Sequence, residues 1–236
     1  GVIRNLLLQS LDDPYRKICT AVGMAVASIA QYDWPEEWPE LMSILLKLIS
    51  DQTNMNGVRG ALRCLALFSG DLDDKLLPKL VPVLFPCLYT IASSVNVYDS
   101  SMRRRALAIL HSCIATLGVM SGVFERETRE LMTPMLKTWL EQFSSILSPP
   151  VSSEDPEDWG LRMEVVKSLT QMVQSFPKLV LSEFSVILEP LWQTFASCLR
   201  VYELASIQGM DDSYAGRTDS DGGDQSLEAF IIQLFE

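Results

Sequence analysis

An arginine returns at the head of one apolar segment after another in this chain. It is Arg16 in YRKICTAVGMAV, Arg59 in VRGALRCLALF, Arg103 in MRRRALAILHSC and Arg162 in LRMEVVKSLTQMV. The first two intervals are 43 and 44 residues, and the third is longer because it contains the insertion PPVSSEDPED. With the segments aligned on the arginine, the third residue on is Cys19, Leu62, Ala106 or Val165. The sixth is Val22, Leu65, Ile109 or, as the one polar exception, Ser168. Residues three apart share a helix face, so one helical unit is copied along the chain. A unit of this length cannot bury its apolar face alone and must stack on its neighbours.

A second series of apolar segments lies between the arginine-headed ones, at about 2–11, 36–50, 77–93, 126–147 and 180–200. In 36–50 the residues Leu41, Ile44, Leu45, Leu48 and Ile49 recur at three- and four-residue steps, the period of an amphipathic helix. Here the second series is termed A and the arginine-headed series B. The order is then A–B five times over, with a fifth B helix that begins near Leu227 and is cut short. No alternating run marks a strand. The fold expected is all-α: a right-handed α-α superhelix, a solenoid of HEAT or armadillo type. Residues 1–236 should form a single run of about five helix pairs, truncated at both ends. Such stacks work by presenting a long surface, so the function expected is binding and not catalysis.

Proline placement fits this order. Pro14, Pro35, Pro39, Pro78 and Pro177 fall at or near helix starts, where a missing N–H costs little. Pro82, Pro86, Pro134 and Pro190 fall inside A helices, where a proline removes a backbone hydrogen bond and bends the helix. The bent A series is expected on the outer layer and the straighter B series on the inner face. Two connections differ in composition. Residues 148–159 carry Glu154, Asp155, Glu157 and Asp158; residues 208–226 carry Asp211, Asp212, Asp219, Asp221 and Asp224 against the single Arg217. Both have too little apolar surface to order themselves, and both join an A helix to its own B helix, so they should emerge from one edge. They read either as solvated loops or as contacts for a basic partner.

Composition narrows the function classes. A net charge of −11 and a pI near 4.6 disfavour direct nucleic-acid binding, which needs cations to neutralise phosphate. No apolar run reaches the length of about 20 residues that a membrane span needs. The five cysteines form no C-x-x-C pair and lie scattered through apolar helices, as packing residues in a reducing compartment do. The one histidine, His111, precedes Cys113 by two residues, a spacing that turns the two apart on a helix and suits neither a nucleophile–base pair nor a shared metal. TDSDGGDQSLE lacks the ligand spacing of a calcium loop. No enzyme, cofactor or metal site is expected. In DWPEEWPE the acids Asp33, Glu36, Glu37 and Glu40 surround two tryptophans; helix-start electrostatics accounts for them, with the macrodipole stabilising the anions. Trp34 and Trp38 should share one side of that helix start, packing between repeats.

The stretch AVASIAQYDWPEEWPELMSILLKLIS, residues 25–50, resembles the early repeats of the importin-β-type nuclear transport receptors, or karyopherins. In these a W-P-x-L-like opening to an A helix follows a small-residue B helix. VRGALRCLALFS, the MRRRALAIL helix and the closing Asp/Gly-rich stretch before an apolar helix extend the resemblance over essentially the whole chain. It implies roughly the second to sixth repeats of a long superhelix. It also implies a receptor that shuttles between cytoplasm and nucleus, carries basic cargo such as histones and ribosomal proteins, and engages the small GTPase Ran in its GTP form through B helices. Such a receptor is expected as a monomer. By the family motif, Trp34, Pro35, Trp38 and Pro39 are repeat-defining structural positions, beside the recurring Arg16, Arg59, Arg103 and Arg162. The alternative is a HEAT-repeat scaffold or regulatory subunit with no transport role.

Overall fold

The structure is a computed structural model that describes residues 1–151, 156–208 and 227–235. Among these residues there are helices and turns and no strand. The fold is all-α and HEAT/armadillo-like, as the periodicity predicts. The chain divides into two compact units, Gly1–Leu131 and Met132–Glu236.

The first unit holds α1 (Val2–Gln9), α2 (Arg16–Asp33), α3 (Leu41–Ser50), α4 (Met55–Phe68), α5 (Leu77–Ser93) and α6 (Ser100–Ser121). A 3-10 turn, Ser69–Asp71, follows α4. Each A helix packs on its own B helix: α1 on α2, α3 on α4 and α5 on α6. The B helices also pack on one another, α2 on α4 and α4 on α6, making one continuous layer. The core lies between the layers. Leu41, Leu45, Leu62, Leu65, Leu84, Leu88 and Leu110 are all fully buried. In α5 the interior prolines Pro82 and Pro86 are exposed while Val81, Leu84 and Phe85 are buried, so the helix turns its broken backbone face outward.

Helix α7 (Glu125–Leu147) continues from the first unit into the second, which also holds α8 (Pro156–Ser175), α9 (Pro177–Glu183), α10 (Ser185–Gln208) and α11 (Leu227–Phe235). Helix α8 packs on α9 and α11, and α10 on the same two. The indole of Trp159 stacks on Phe230 at 5.8 Å with the ring planes 16° apart, which ties α8 to α11. The end of α7 is fixed by α10: the Thr194 hydroxyl donates to the Leu147 carbonyl at 3.0 Å, satisfying an orphan helix-end acceptor in a buried place.

Three boundaries depart from the sequence reading. The A helix expected over 36–50 begins only at Leu41. Pro39 disfavours helical backbone at the residue before it, so Trp38 stays outside the helix. The A segment expected over 180–200 is two helices, α9 and α10, separated by Phe184. The buried Val180 and Ile187 lie two turns apart, so the apolar face runs through the break and hides it from a periodicity argument. Helix α8 begins at Pro156, a favoured first helical position, which puts Glu157 and Asp158 on its first turn instead of in a connecting loop.

Candidate interaction surface

The four recurring arginines do not share one environment. Arg103 Nε donates to the Ala92 carbonyl at 2.9 Å, closing the last turn of α5 from the first turn of α6. A cation donating at a helix C-terminus meets both the orphan carbonyls and the negative end of the dipole. Arg162, itself buried, instead reaches the carbonyl of Pro150, in the connection past α7, at 3.4 Å. Arg59 instead pairs with the Asp99 carboxylate at 3.2 Å and with Asn56 at 3.4 Å. Arg16 stands exposed at the first residue of α2.

Capping and burial set the repeat register, and it differs by one residue from the arginine register. The Asn54 side chain caps α4 through Gly57 N–H and the Asp99 side chain caps α6 through Met102 N–H, at an interval of 45. At that interval the buried Ala61, Leu62, Cys64, Leu65 and Phe68 fall on the buried Ala106, Leu107, Ile109, Leu110 and Cys113. From α2 to α4 the interval is 42: the buried Cys19, Gly23, Val26, Ala27 and Ala30 fall on Ala61, Leu65, Phe68, Ser69 and Leu72, buried as well. Arg16 and Arg103 are therefore equivalent, whereas Arg59 sits one residue out of step. Leu65 and Ile109 are fully buried as expected, and Val22 is only half-buried.

The DWPEEWPE segment is a turn between α2 and α3, not the start of a helix. Asp33 ends α2 and Glu36 and Glu37 lie in the turn, so only Glu40, the N-cap residue of α3, stands at a helix start. The two tryptophans face different neighbours. Trp34, half-buried, sets its ring edge against Phe68 of α4, centroids 5.6 Å apart. Trp38 is fully buried, and Arg4 of α1 lies over its ring at 5.5 Å. The same guanidinium bonds the Asp33 carboxylate and the Glu37 carbonyl, so one side chain fastens α1 to both ends of the turn. Pro35 is half-buried behind a cis peptide bond and Pro39 is exposed.

Of the acids proposed to meet a basic partner, Glu154, Asp155, Asp211, Asp212, Asp219, Asp221 and Asp224 lie outside the described residues. Glu157 and Asp158 lie on the first turn of α8. Among the described residues no group of three His, Cys, Asp or Glu could hold a metal, and no helix is long and apolar enough to cross a membrane. The five thiols are free. Burial pushes Cys64 and Cys113 up to about 12 and Cys198 up to about 11, so these thiols stay protonated and unreactive at neutral pH.

No known protein-family model matches the chain. Individual proteins do match. The chain is 28% identical to Importin-9 of Drosophila melanogaster over 236 residues, 99% of its own length and 22% of that protein's. It is 26% identical to Importin subunit beta-5 of Schizosaccharomyces pombe over 222 residues, 89% of the chain and 22% of that protein. The family resemblance is to importin-β-type receptors, importin-9 among them. The chain spans about a fifth of the length of the curated relatives it matches. A match over 99% of the chain is broader than one shared motif.

Proposed function

We propose that the chain is a helix-repeat segment of a nuclear import receptor, a binding protein that carries basic protein cargo and engages Ran in its GTP form. The observation that carries this reading is the match to Importin-9 along 99% of the chain. Two features support it. The B helices α2, α4 and α6 form a continuous layer that a partner can read across repeats. The net charge of −11 favours encounter with basic cargo such as histones or ribosomal proteins and shields their lysines from competing polyanions. The cargo contacts proposed are Glu154, Asp155, Glu157 and Asp158 in the first acidic connection and Asp211, Asp212, Asp219, Asp221 and Asp224 in the second. Ran contacts are assigned to B helices. The receptor acts as a monomer and shuttles between cytoplasm and nucleus.

Binding of Ran loaded with GTP or with GDP tests the transport role. A receptor binds the GTP form more tightly, whereas a HEAT scaffold with no transport role ignores the nucleotide. Replacing the five aspartates of the second connection by asparagine tests the charge mechanism. Association with a histone dimer should weaken at low salt. The deficit should shrink as the Debye length falls from about 30 Å at 0.01 M to about 8 Å at 0.15 M. Equal cargo affinity and association rate at low salt would remove these residues from the interface.

A further inference from the structure

Although the chain is acidic, the first unit holds a concentrated basic groove. Its volume is about 220 Å³, and it crosses the N-terminal ends of the three successive B helices. Arg16 comes from α2, Arg59 and Arg63 from α4 and Arg105 from α6, with Asp13 and Asp99 at the rim. Four cations therefore face two anions. Asp99 is already engaged, pairing with Arg59 through one oxygen and capping α6 through the other. Among the described residues no carboxylate forms an ion pair with Arg16, Arg63 or Arg105. Arg63 and Arg105 are part-buried. Partly desolvated cations are ordinarily paired, because burying an unpaired charge is costly. Burial foremost, and the nearby Arg63, Arg16 and Arg104 with it, lower the Arg105 guanidinium to about 10. A second feature points the same way. Helix α2 starts at the groove with no side-chain cap, so its first N–H groups and the positive end of its dipole are free to meet an anion.

We propose that this groove binds an acidic peptide segment of a protein partner, with Arg16, Arg63 and Arg105 holding its carboxylates. The rim distinguishes a peptide from a nucleic acid. Asp13, Asp99, Asn56 and Ser101 line the groove beside the arginines. The carboxylates of Asp13 and Asp99 repel a phosphodiester strand, charged at every residue, more than a peptide in which acidic and neutral residues alternate. The net charge of −11 also repels a long polyanion more than a short acidic segment. Spacing agrees. Packed helices stand about 8–10 Å apart, and alternate residues of an extended chain are about 7 Å apart, a gap that side chains close. Planar guanidinium groups can hold each carboxylate through two hydrogen bonds. This site takes the opposite charge from the cargo proposed above and stands or falls apart from it.

The test is fluorescence anisotropy of the whole chain with a labelled peptide of alternating Glu and Ala, against the same peptide with Gln for Glu. The expected result is binding of the Glu peptide only, weakened roughly tenfold or more in an Arg63→Gln, Arg105→Gln double variant. Arg200→Gln, an exposed arginine on α10 outside the groove, should leave binding unchanged. Thermal melting is followed in parallel. If the double variant melts lower, Arg16→Gln decides: this exposed side chain supports no core, and its loss should still weaken the peptide severalfold. Unaltered affinity in a stably folded variant overturns the proposal. So does a single-stranded oligonucleotide or pyrophosphate that displaces the peptide and binds more tightly, which would make the groove a phosphate site.

Discussion

The guanidinium of Arg4 lies over the indole of Trp38, 5.5 Å from its centroid, while it bonds the Asp33 carboxylate at the end of α2. A cation–π contact of this kind contributes about 0.5–2 kcal/mol, more as the site loses water. Arg4→Ala also removes the bond to the Glu37 carbonyl, so α1 loses its fastening to the turn. The chain should lose about 1–2 kcal/mol, read as a lower urea midpoint by tryptophan fluorescence. An unchanged midpoint would mean that α1 is held by its apolar face alone.

Trp38 is fully buried, and its Nε1 has no hydrogen-bond partner among the described residues. Trp38→Ala should cost about 3–5 kcal/mol through the cavity it leaves. Trp38→Phe should cost much less, because it keeps most of the ring volume and deletes a buried donor that makes no bond. The ranking is checked by paired denaturation curves. Equal losses in the two variants would indicate that the indole N–H has a partner such as water.

Leu65 and Val22 stand at the same distance from their arginines but not at the same depth. Leu65→Ala should cost about 2–5 kcal/mol, and Val22→Ala less than about 1 kcal/mol, because Val22 is half-buried. Similar losses at both sites would restore the arginine register over the one that capping and burial set.

Gly60 and Gly70 give a test of backbone approach. A Cβ at Gly60 would lie 1.9 Å from the Leu11 carbonyl oxygen and 3.1 Å from Cys19 Sγ, whereas a Cβ at Gly70 meets nothing within 4 Å. Gly60→Ala must push α4 away from the α1–α2 turn and should cost at least about 1–3 kcal/mol. Gly70→Ala should be close to neutral. Melting temperatures of the two variants check this, and a neutral Gly60→Ala would show that the α1–α2 turn does not close on α4.

The buried thiols predict a pH dependence. Cys64 and Cys113 are raised by desolvation to about 12, so the fold favours their protonated forms. Their contribution is complete below the unfolded thiol pKa of about 8.5 and is lost as pH rises from there toward about 12. The decline in stability between pH 8 and 10 should be smaller in a Cys64→Ala, Cys113→Ala variant than in the unaltered chain. Mass spectrometry after brief alkylation at pH 8 should find both thiols unmodified, with the half-buried Cys87 labelled first. Rapid labelling of Cys113 would show that α6 opens locally.

The fold class was legible because it rests on periodicity. Leu41, Leu45 and Ile49 fall on one buried face of α3, as their spacing requires. Register was less legible. Arg59 was aligned with Arg16 and Arg103 because all three precede apolar runs, yet what fixes register is the cap, Asn54 or Asp99, and which residues the partner helix buries. The cap pair was readable in principle, since Asn and Asp stand three residues before the N–H groups they accept from. The basic groove was not read at all. Arg63 and Arg105 lie in different repeats and different helical turns, and net charge gave no sign of it because a sum over the chain erases local clustering. The acidic connections were legible as composition, and composition does not say what they touch.

The Arg103 bridge to Ala92 spans the connection between α5 and α6, whereas Arg162 meets Pro150 inside the connection between α7 and α8. At the first, the side chain reaches back and clasps the last turn of the preceding helix, so the two helices are joined without help from the loop. Loop length then matters little to the join, since each doubling of a flexible loop adds only about 0.6 kcal/mol of closure entropy. A repeat fastened in this way can accept an insertion at that edge and lose little stability. The connections become sites where new sequence can be added and new binding specificity acquired while the stack beneath stays the same.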